Sequence, residues 1–172
     1  LQLSILHNEE PAIQAEFHIL LGFCHQLSST LPEAIEHYIA ALKLGVDYLK
    51  PKILVQLGWI YYKQKNFSKV EEVVKEGMEA GHKQKDVFSV GMGYSCLALV
   101  SKQKGNIGRA REILLEGMDY LKKKNALRPL ATLLINLGDL NYEMGRNREA
   151  LNFYRRVPSL GLELEKDYFN LC

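Results

Sequence analysis

Catalysis or metal binding would need thiols, imidazoles or carboxylates at reactive spacing, and this 172-residue chain offers few. Its three cysteines, Cys24, Cys96 and Cys172, are odd in number and far apart. Zinc sites and redox dithiols require close pairs, so these read as reduced thiols of a cytoplasmic protein. His18 and His25 stand seven positions apart and share one helix face. They lack the i, i+4 spacing and the neighbouring carboxylate or thiol of a metal site, so packing or surface roles are expected. Glu71 and Glu72 are adjacent on a helix surface, and Glu163 and Glu165 lie in a fraying end. Neither pair is placed to act as acid and base across a substrate. The expectation is a non-enzymatic chain with no metal and no cofactor.

Composition narrows the class further. A hydrophobic content of 47% is enough to build a core in one domain of this length. Twenty-two Lys and Arg against 20 Asp and Glu leave a net charge of +2. The basic runs Lys122–Lys124 and Arg155-Arg156 are too short for a nucleic-acid footprint and read as solvated helix ends. No apolar run approaches the ~20 residues of a membrane-spanning helix, and no export signal opens the chain. No direct contact with nucleic acid or membrane is expected.

With chemistry set aside, the order that remains is a repeat. Leu21-Gly22 is followed by Ala34 and Tyr38, and Leu137-Gly138 by Ala150 and Tyr154, at identical offsets. Between them stand Leu57-Gly58 with Tyr61, Val70 and Val74, then Leu97-Ala98 with Ala110 and Leu114. The small residues Gly22, Gly58, Ala98 and Gly138 are 36, 40 and 40 positions apart, which defines four units.

Within each unit apolar residues recur at three and four, with a polar break midway, the mark of two amphipathic helices. The pattern predicts helices near 11–28, 31–45, 50–64, 67–81, 86–104, 107–124, 127–144 and 147–157. Thr30 with Glu33 makes a capping box, Pro32 fits a first turn, and Asn66 and Asn106 are N-cap candidates. Gly105 and Gly145 precede two breaks, where a left-handed residue ends a helix without a Cβ clash. Close approach of the two helices calls for small residues at their crossing, so Gly138 is expected to face Ala150, and Gly22 to face Ala34. One such hairpin cannot bury its own apolar surface and must stack on another.

The pattern resembles the tetratricopeptide repeat, whose signature runs W-x₂-L-G-x₂-Y, then A-x₃-F, then P. Residues 11–157 carry it, through Leu54, Leu57, Gly58 and Tyr61 in the second unit, His18, Leu21, Gly22, His25, Ala34, Tyr38 and Ala41 in the first, and Leu134, Leu137, Gly138, Asn141, Ala150 and Tyr154 in the fourth. Val70 and Val74 depart from it, Ser101 replaces the tyrosine of the third unit, and the closing proline is absent. The 40-residue spacing is similar to the extended repeats of kinesin light chains, of mitotic-spindle adaptors and of bacterial peptide-sensing regulators.

The resemblance implies an all-α, right-handed superhelical solenoid of stacked antiparallel hairpins, with repeats at 11–45, 46–81, 82–124 and 125–157. It implies that the first helix of every unit lines a groove for a protein or peptide partner. Counted from the small residue, the implied groove positions are six before it (Glu16, Lys52, Met92, Thr132) and three before it (Ile19, Val55, Ser95, Ile135). They continue one after it (Phe23, Trp59, Leu99, Asp139) and four after it (Gln26, Tyr62, Lys102, Tyr142). Trp59 is the favoured anchor, with Phe23 and Tyr62 on the same wall. The lysine, asparagine and arginine clamp by which some family members hold a chaperone's C-terminal carboxylate has no match here. Its places fall on Ile19, Phe23, Gln56, Met92 and Cys96 in one frame and on Val55, Trp59, Cys96, Thr132 and Asn136 in the next.

Residues 1–10 read as the tail of a helix from a preceding unit, and 158–172 as the start of another first helix. Neither end is polar, which fits either a piece of a longer array or ends that pair with another chain. The expected function is an interaction scaffold. The alternative is a ligand- or peptide-sensing segment of a larger regulator.

Overall fold

The structure, a computed structural model, describes residues 2–160, with side chains from residue 10 onward. All of its regular structure is helical among these residues. The eight α-helices are α1 (Gln2–Leu27), α2 (Leu31–Lys43), α3 (Lys50–Lys63), α4 (Phe67–Gln84), α5 (Val87–Gln103), α6 (Ile107–Lys123), α7 (Leu127–Glu143) and α8 (Asn147–Arg156), with 3₁₀ turns at Asp47–Leu49 and Pro158–Leu160. Seven of these ranges lie close to the predicted ones. α1 differs, because the backbone stays helical through Pro11 and joins the segment expected to belong to a separate, preceding helix. The first left-handed residue among those described is Ser29, just past the end of α1.

Left-handed residues follow the ends of α1 to α7. Ser29, Gly45, Lys65, Lys85, Gly105, Asn125 and Gly145 all have φ between +53° and +80°, and from Gly45 onward they recur every 20 residues. At six of the seven the following N–H reaches back five residues to a helix carbonyl, as in Asn66 N–H to Tyr61 O at 2.9 Å and Arg146 N–H to Asn141 O at 2.9 Å. The left-handed residue donates three back, as Lys65 N–H does to Tyr62 O at 2.9 Å. This paired closure satisfies carbonyls that a helix end otherwise leaves bare. Downstream, Asn66 Oδ1 accepts from Lys69 N–H at 3.3 Å and Asp86 Oδ1 from Ser89 N–H at 3.0 Å, which fixes the next helix start. The capping box expected at Thr30 does not form. Its hydroxyl turns back to donate to the His25 carbonyl at 3.2 Å. Asn106 occupies its N-cap position without a side-chain bond.

Each helix packs on the next, and the short links make consecutive helices antiparallel. In addition α3 touches α5 and α5 touches α7, so the first helices of these units lie side by side. That placement explains composition. α3 and α5 meet neighbours on several sides and are apolar nearly all round, whereas α4 and α6 keep a polar outer face. α5 is the seam of the core: Cys96 and Val100 join the cluster built on α1–α4, and Ala98 joins the cluster built on α6 and α7.

In the three units whose small residue is glycine, the nearest side chain across the hairpin is a bulky one, where the sequence pattern pointed to Ala34 and Ala150. A Cβ added to Gly22 would lie 3.1 Å from the Tyr38 ring, at Gly58 it would strike Val74, and at Gly138 it would strike the Tyr154 ring. Tyr38, Val74 and Tyr154 each stand 16 residues after their glycine, as Leu114 does after Ala98. The glycine is the socket into which the second helix sets its bulk, while Ala34 and Ala150 are buried separately one turn earlier. Glycines elsewhere serve the same end. Gly77 and Gly81 lie inside α4, with Leu54 and Val90 packed where their side chains would be, and the helix runs to Gln84, past the predicted end at 81, before the left-handed Lys85.

Substituting Gly58→Ala therefore overpacks the second hairpin, with an expected cost of about 1–3 kcal/mol. In a Val74→Ala background that cost should nearly vanish, a non-additivity read by thermal melting of the two single variants and the double. Additive effects would show that Gly58 and Val74 do not share this space.

Candidate functional site

The predicted wall divides into two faces once the helices are placed. Positions six before and one after the small residue lie seven apart on one face of their helices. There Lys52 is exposed and Trp59 half-buried on α3, Met92 and Leu99 are half-buried on α5, and Asp139 is exposed on α7 with Thr132 half-buried. On α1 the same positions hold exposed Glu16 and half-buried Phe23.

Positions three before and four after the small residue lie on a different face, toward the next unit, and here the sequence assignment is corrected. Ile19, Val55 and Ser95 are buried and cannot meet a partner in this arrangement. Val55 packs where a Gly77 side chain would be, and Ser95 Oγ accepts from Asn136 Nδ2 on α7 at 2.6 Å. Lys102 Nζ pairs with Glu143 of α7 at 2.8 Å, and Gln26 Oε1 accepts from Tyr38 at 3.4 Å. Ile135 and Tyr142 hold the same positions in the last described unit and are exposed. The cause is geometric: a seven-residue step returns almost to the same line along a helix, whereas a step of three turns by about 60°, which here reaches the flank that a neighbouring hairpin covers.

Around Trp59 the aromatic rings form a short chain. Its ring meets Tyr62 edge-on with centroids 6.1 Å apart, and Tyr62 lies 6.1 Å from Phe67 at the start of α4. Such edge contacts hold a large side chain in one orientation at little further entropy cost. Between α5, α6 and α7, Leu99, Lys102 and Asp139 converge with Asn136 on a cleft of about 20 Å³, room for about one water. Asp139 is not free there, since its Oδ1 accepts from the Tyr154 phenol at 2.6 Å. Burial, with that hydrogen bond second, pushes the Tyr154 pKa up to about 12.

The structure also gathers groups that the sequence kept apart. His18 Nδ1 lies 3.0 Å from His37 Nδ1, and the His25 ring stacks on His37 with centroids 5.3 Å apart. His37 comes from α2, so no spacing rule within α1 could have found it. Among the described residues no group of three or more His, Cys, Asp or Glu is arranged to hold a metal ion. A separate open hollow of about 910 Å³ is lined by Asp47, Tyr48, Lys50, Glu76, Glu79 and Lys83, among others, and includes none of the predicted wall residues. Lys50 and Glu76, both in its lining, form an ion pair at 2.8 Å. No described helix is long and apolar enough to cross a membrane.

These features define an all-helical fold, consistent with a helical repeat. No protein-family model matches the sequence, and no curated protein matches it. Among solved structures it is similar to BtubC (BKLC) from P. vanneervenii, with a TM-score of 0.68 and 19% sequence identity over 87% of this chain. The match spans 64% of the BtubC chain. At that identity the likeness concerns the fold alone.

Burial within the α5 seam raises the Cys96 thiol pKa from 9.0 to about 12. The folded thiol therefore keeps its proton over a range in which the unfolded one has lost it. The stability this group supports is complete below the unfolded value and is lost as pH rises through about 12. Alkylation at mildly alkaline pH, mapped by peptide mass spectrometry, should modify exposed Cys24 and spare Cys96 until the chain unfolds. Equal labelling of the two would show that the seam opens freely.

Proposed function

We propose that this chain is a protein-interaction scaffold of tetratricopeptide-like hairpins of the extended, 40-residue type, stacked as a right-handed solenoid. A peptide or helix of a partner protein lies along the wall made by the first helices. The observation that carries this reading is the row Trp59, Met92 and Leu99: three apolar side chains on two helices in contact, each left half-buried by the fold. Large apolar groups held rigid at a partly open face are what binding hot spots are made of, and Trp is the residue most enriched there. Lys52 and Asp139 border the row with opposite charges, which would set the direction of a bound segment. The role is one of recognition, without turnover and without a cofactor.

The test uses the chain itself against a displayed library of random peptides. Peptides enriched on the wild type should lose more than ~2 kcal/mol of binding to Trp59→Ala, the threshold of a hot spot, while far-UV circular dichroism stays unchanged. Smaller losses should follow Leu99→Ala and Met92→Ala. Binding that is indifferent to all three substitutions would remove this wall as the site.

A further inference from the structure

The first hairpin departs from the other three at two registers. Counted from the small residue, the positions four before and fifteen after it are His18 and His37. In the later units the same places hold Leu54 with Val73, Tyr94 with Ile113, and Leu134 with Phe153, all of them buried or half-buried. Three hairpins therefore fill these places with apolar or aromatic side chains. The first hairpin replaces both members with imidazoles and brings their Nδ1 atoms to 3.0 Å. Imidazoles pack no better than the residues they stand for, and they bring polar atoms that must find partners.

Each of the two rings is braced by a neighbour. Phe17 meets His18 edge-on with centroids 6.3 Å apart, and His25 stacks on His37 at 5.3 Å. The Nδ1 of His25 does not join the pair. It lies 2.8 Å from the Thr30 hydroxyl, whose own hydrogen goes to the His25 carbonyl, so this Nδ1 carries a hydrogen and has no lone pair to offer. Between His18 and His37 one Nδ1 carries the hydrogen and the other the lone pair. Moving that hydrogen to Nε2 of the same ring leaves both rings neutral and frees both Nδ1 lone pairs for one cation. With the nitrogens 3.0 Å apart, an ion at ~2.0–2.1 Å from each would hold them at an angle of about 90–97°. That is the cis angle of a tetragonal centre, well short of the ~109° of tetrahedral zinc.

We propose that His18 and His37 bind one divalent first-row cation of tetragonal preference, Cu²⁺ or Ni²⁺, through their Nδ1 atoms, with water filling the remaining positions. Two protein ligands are fewer than a resident zinc takes, so the ion exchanges with solvent. One ligand stands on α1 and the other on α2, 19 residues apart, so the ion binds the folded hairpin and pins its two helices together. This site is separate from the row of Trp59, Met92 and Leu99 and does not rest on the role of that row.

Titration calorimetry of the full chain with Ni²⁺, the exposed Cys24 having been alkylated, tests it. One cation per chain should bind, and the melting temperature should rise with Ni²⁺ concentration. His18→Leu and His37→Val install what the second hairpin carries at these registers, so the fold should hold, as circular dichroism will check. Each should weaken binding by more than the ~10-fold that loss of even an outer-shell partner costs, and should cancel the rise in melting temperature. Zn²⁺ should bind less tightly than Ni²⁺. Pulsed electron paramagnetic resonance of the unsubstituted chain with one equivalent of Cu²⁺ should count two coordinated imidazoles, a reading that needs no variant. Absence of binding, binding that survives either substitution, Zn²⁺ held more tightly than Ni²⁺, or a single coordinated imidazole overturns the proposal.

Discussion

The fold depends on a size match across each hairpin: a residue with little or no side chain on the first helix against a bulky one 16 positions later on the second. Where the first is glycine, a Tyr or Val sits so close that an added Cβ would collide or crowd it. Where it is Ala98, the partner is Leu114, and both are buried. Interiors are packed too densely for this distance to drift, so the match sets how near the two helices approach. Their separation in turn sets which flank each hairpin offers to the next. The 20-residue beat of left-handed turns repeats the same geometry along the chain.

Much of this could be read from the residue order. Leu-Gly at 21–22 and 137–138, with Ala and Tyr at fixed offsets behind, is visible because the packing demands it in every unit. Helix ends at Gly105 and Gly145 are legible for the same reason, since glycine is the usual residue for a positive φ. Asn125 takes that conformation too and is of a type that tolerates it, whereas Ser29, Lys65 and Lys85 take it with side chains that announce nothing. They accept the strain because the paired carbonyl bonds and the packing on both sides leave no other closure. Thr30 has the right type for a cap and spends its hydroxyl on His25.

Openness along the first helices was only partly legible. Offsets of seven identify one helix face, and on it Trp59, Met92 and Leu99 are half-buried. Offsets of three turn by about 60° toward a flank, and whether that flank is open depends on the neighbouring hairpin, which lies about 40 residues away in sequence. Val55 and Ser95 are buried for that reason, whereas Ile135 and Tyr142, of the same register, are not. Apolar residues on a covered flank and on an open one look alike in a sequence. Only the stacking tells a core position from a contact surface.

The chain has a single tryptophan, and it lies in the proposed wall. Acrylamide quenching of its fluorescence reports directly on whether that wall is open. The account predicts quenching of the folded chain between that of a fully buried and a fully exposed indole, falling further when a peptide selected on the wild type is bound. Native-state quenching as weak as that of a buried indole, or quenching that a saturating peptide leaves unchanged, would contradict it.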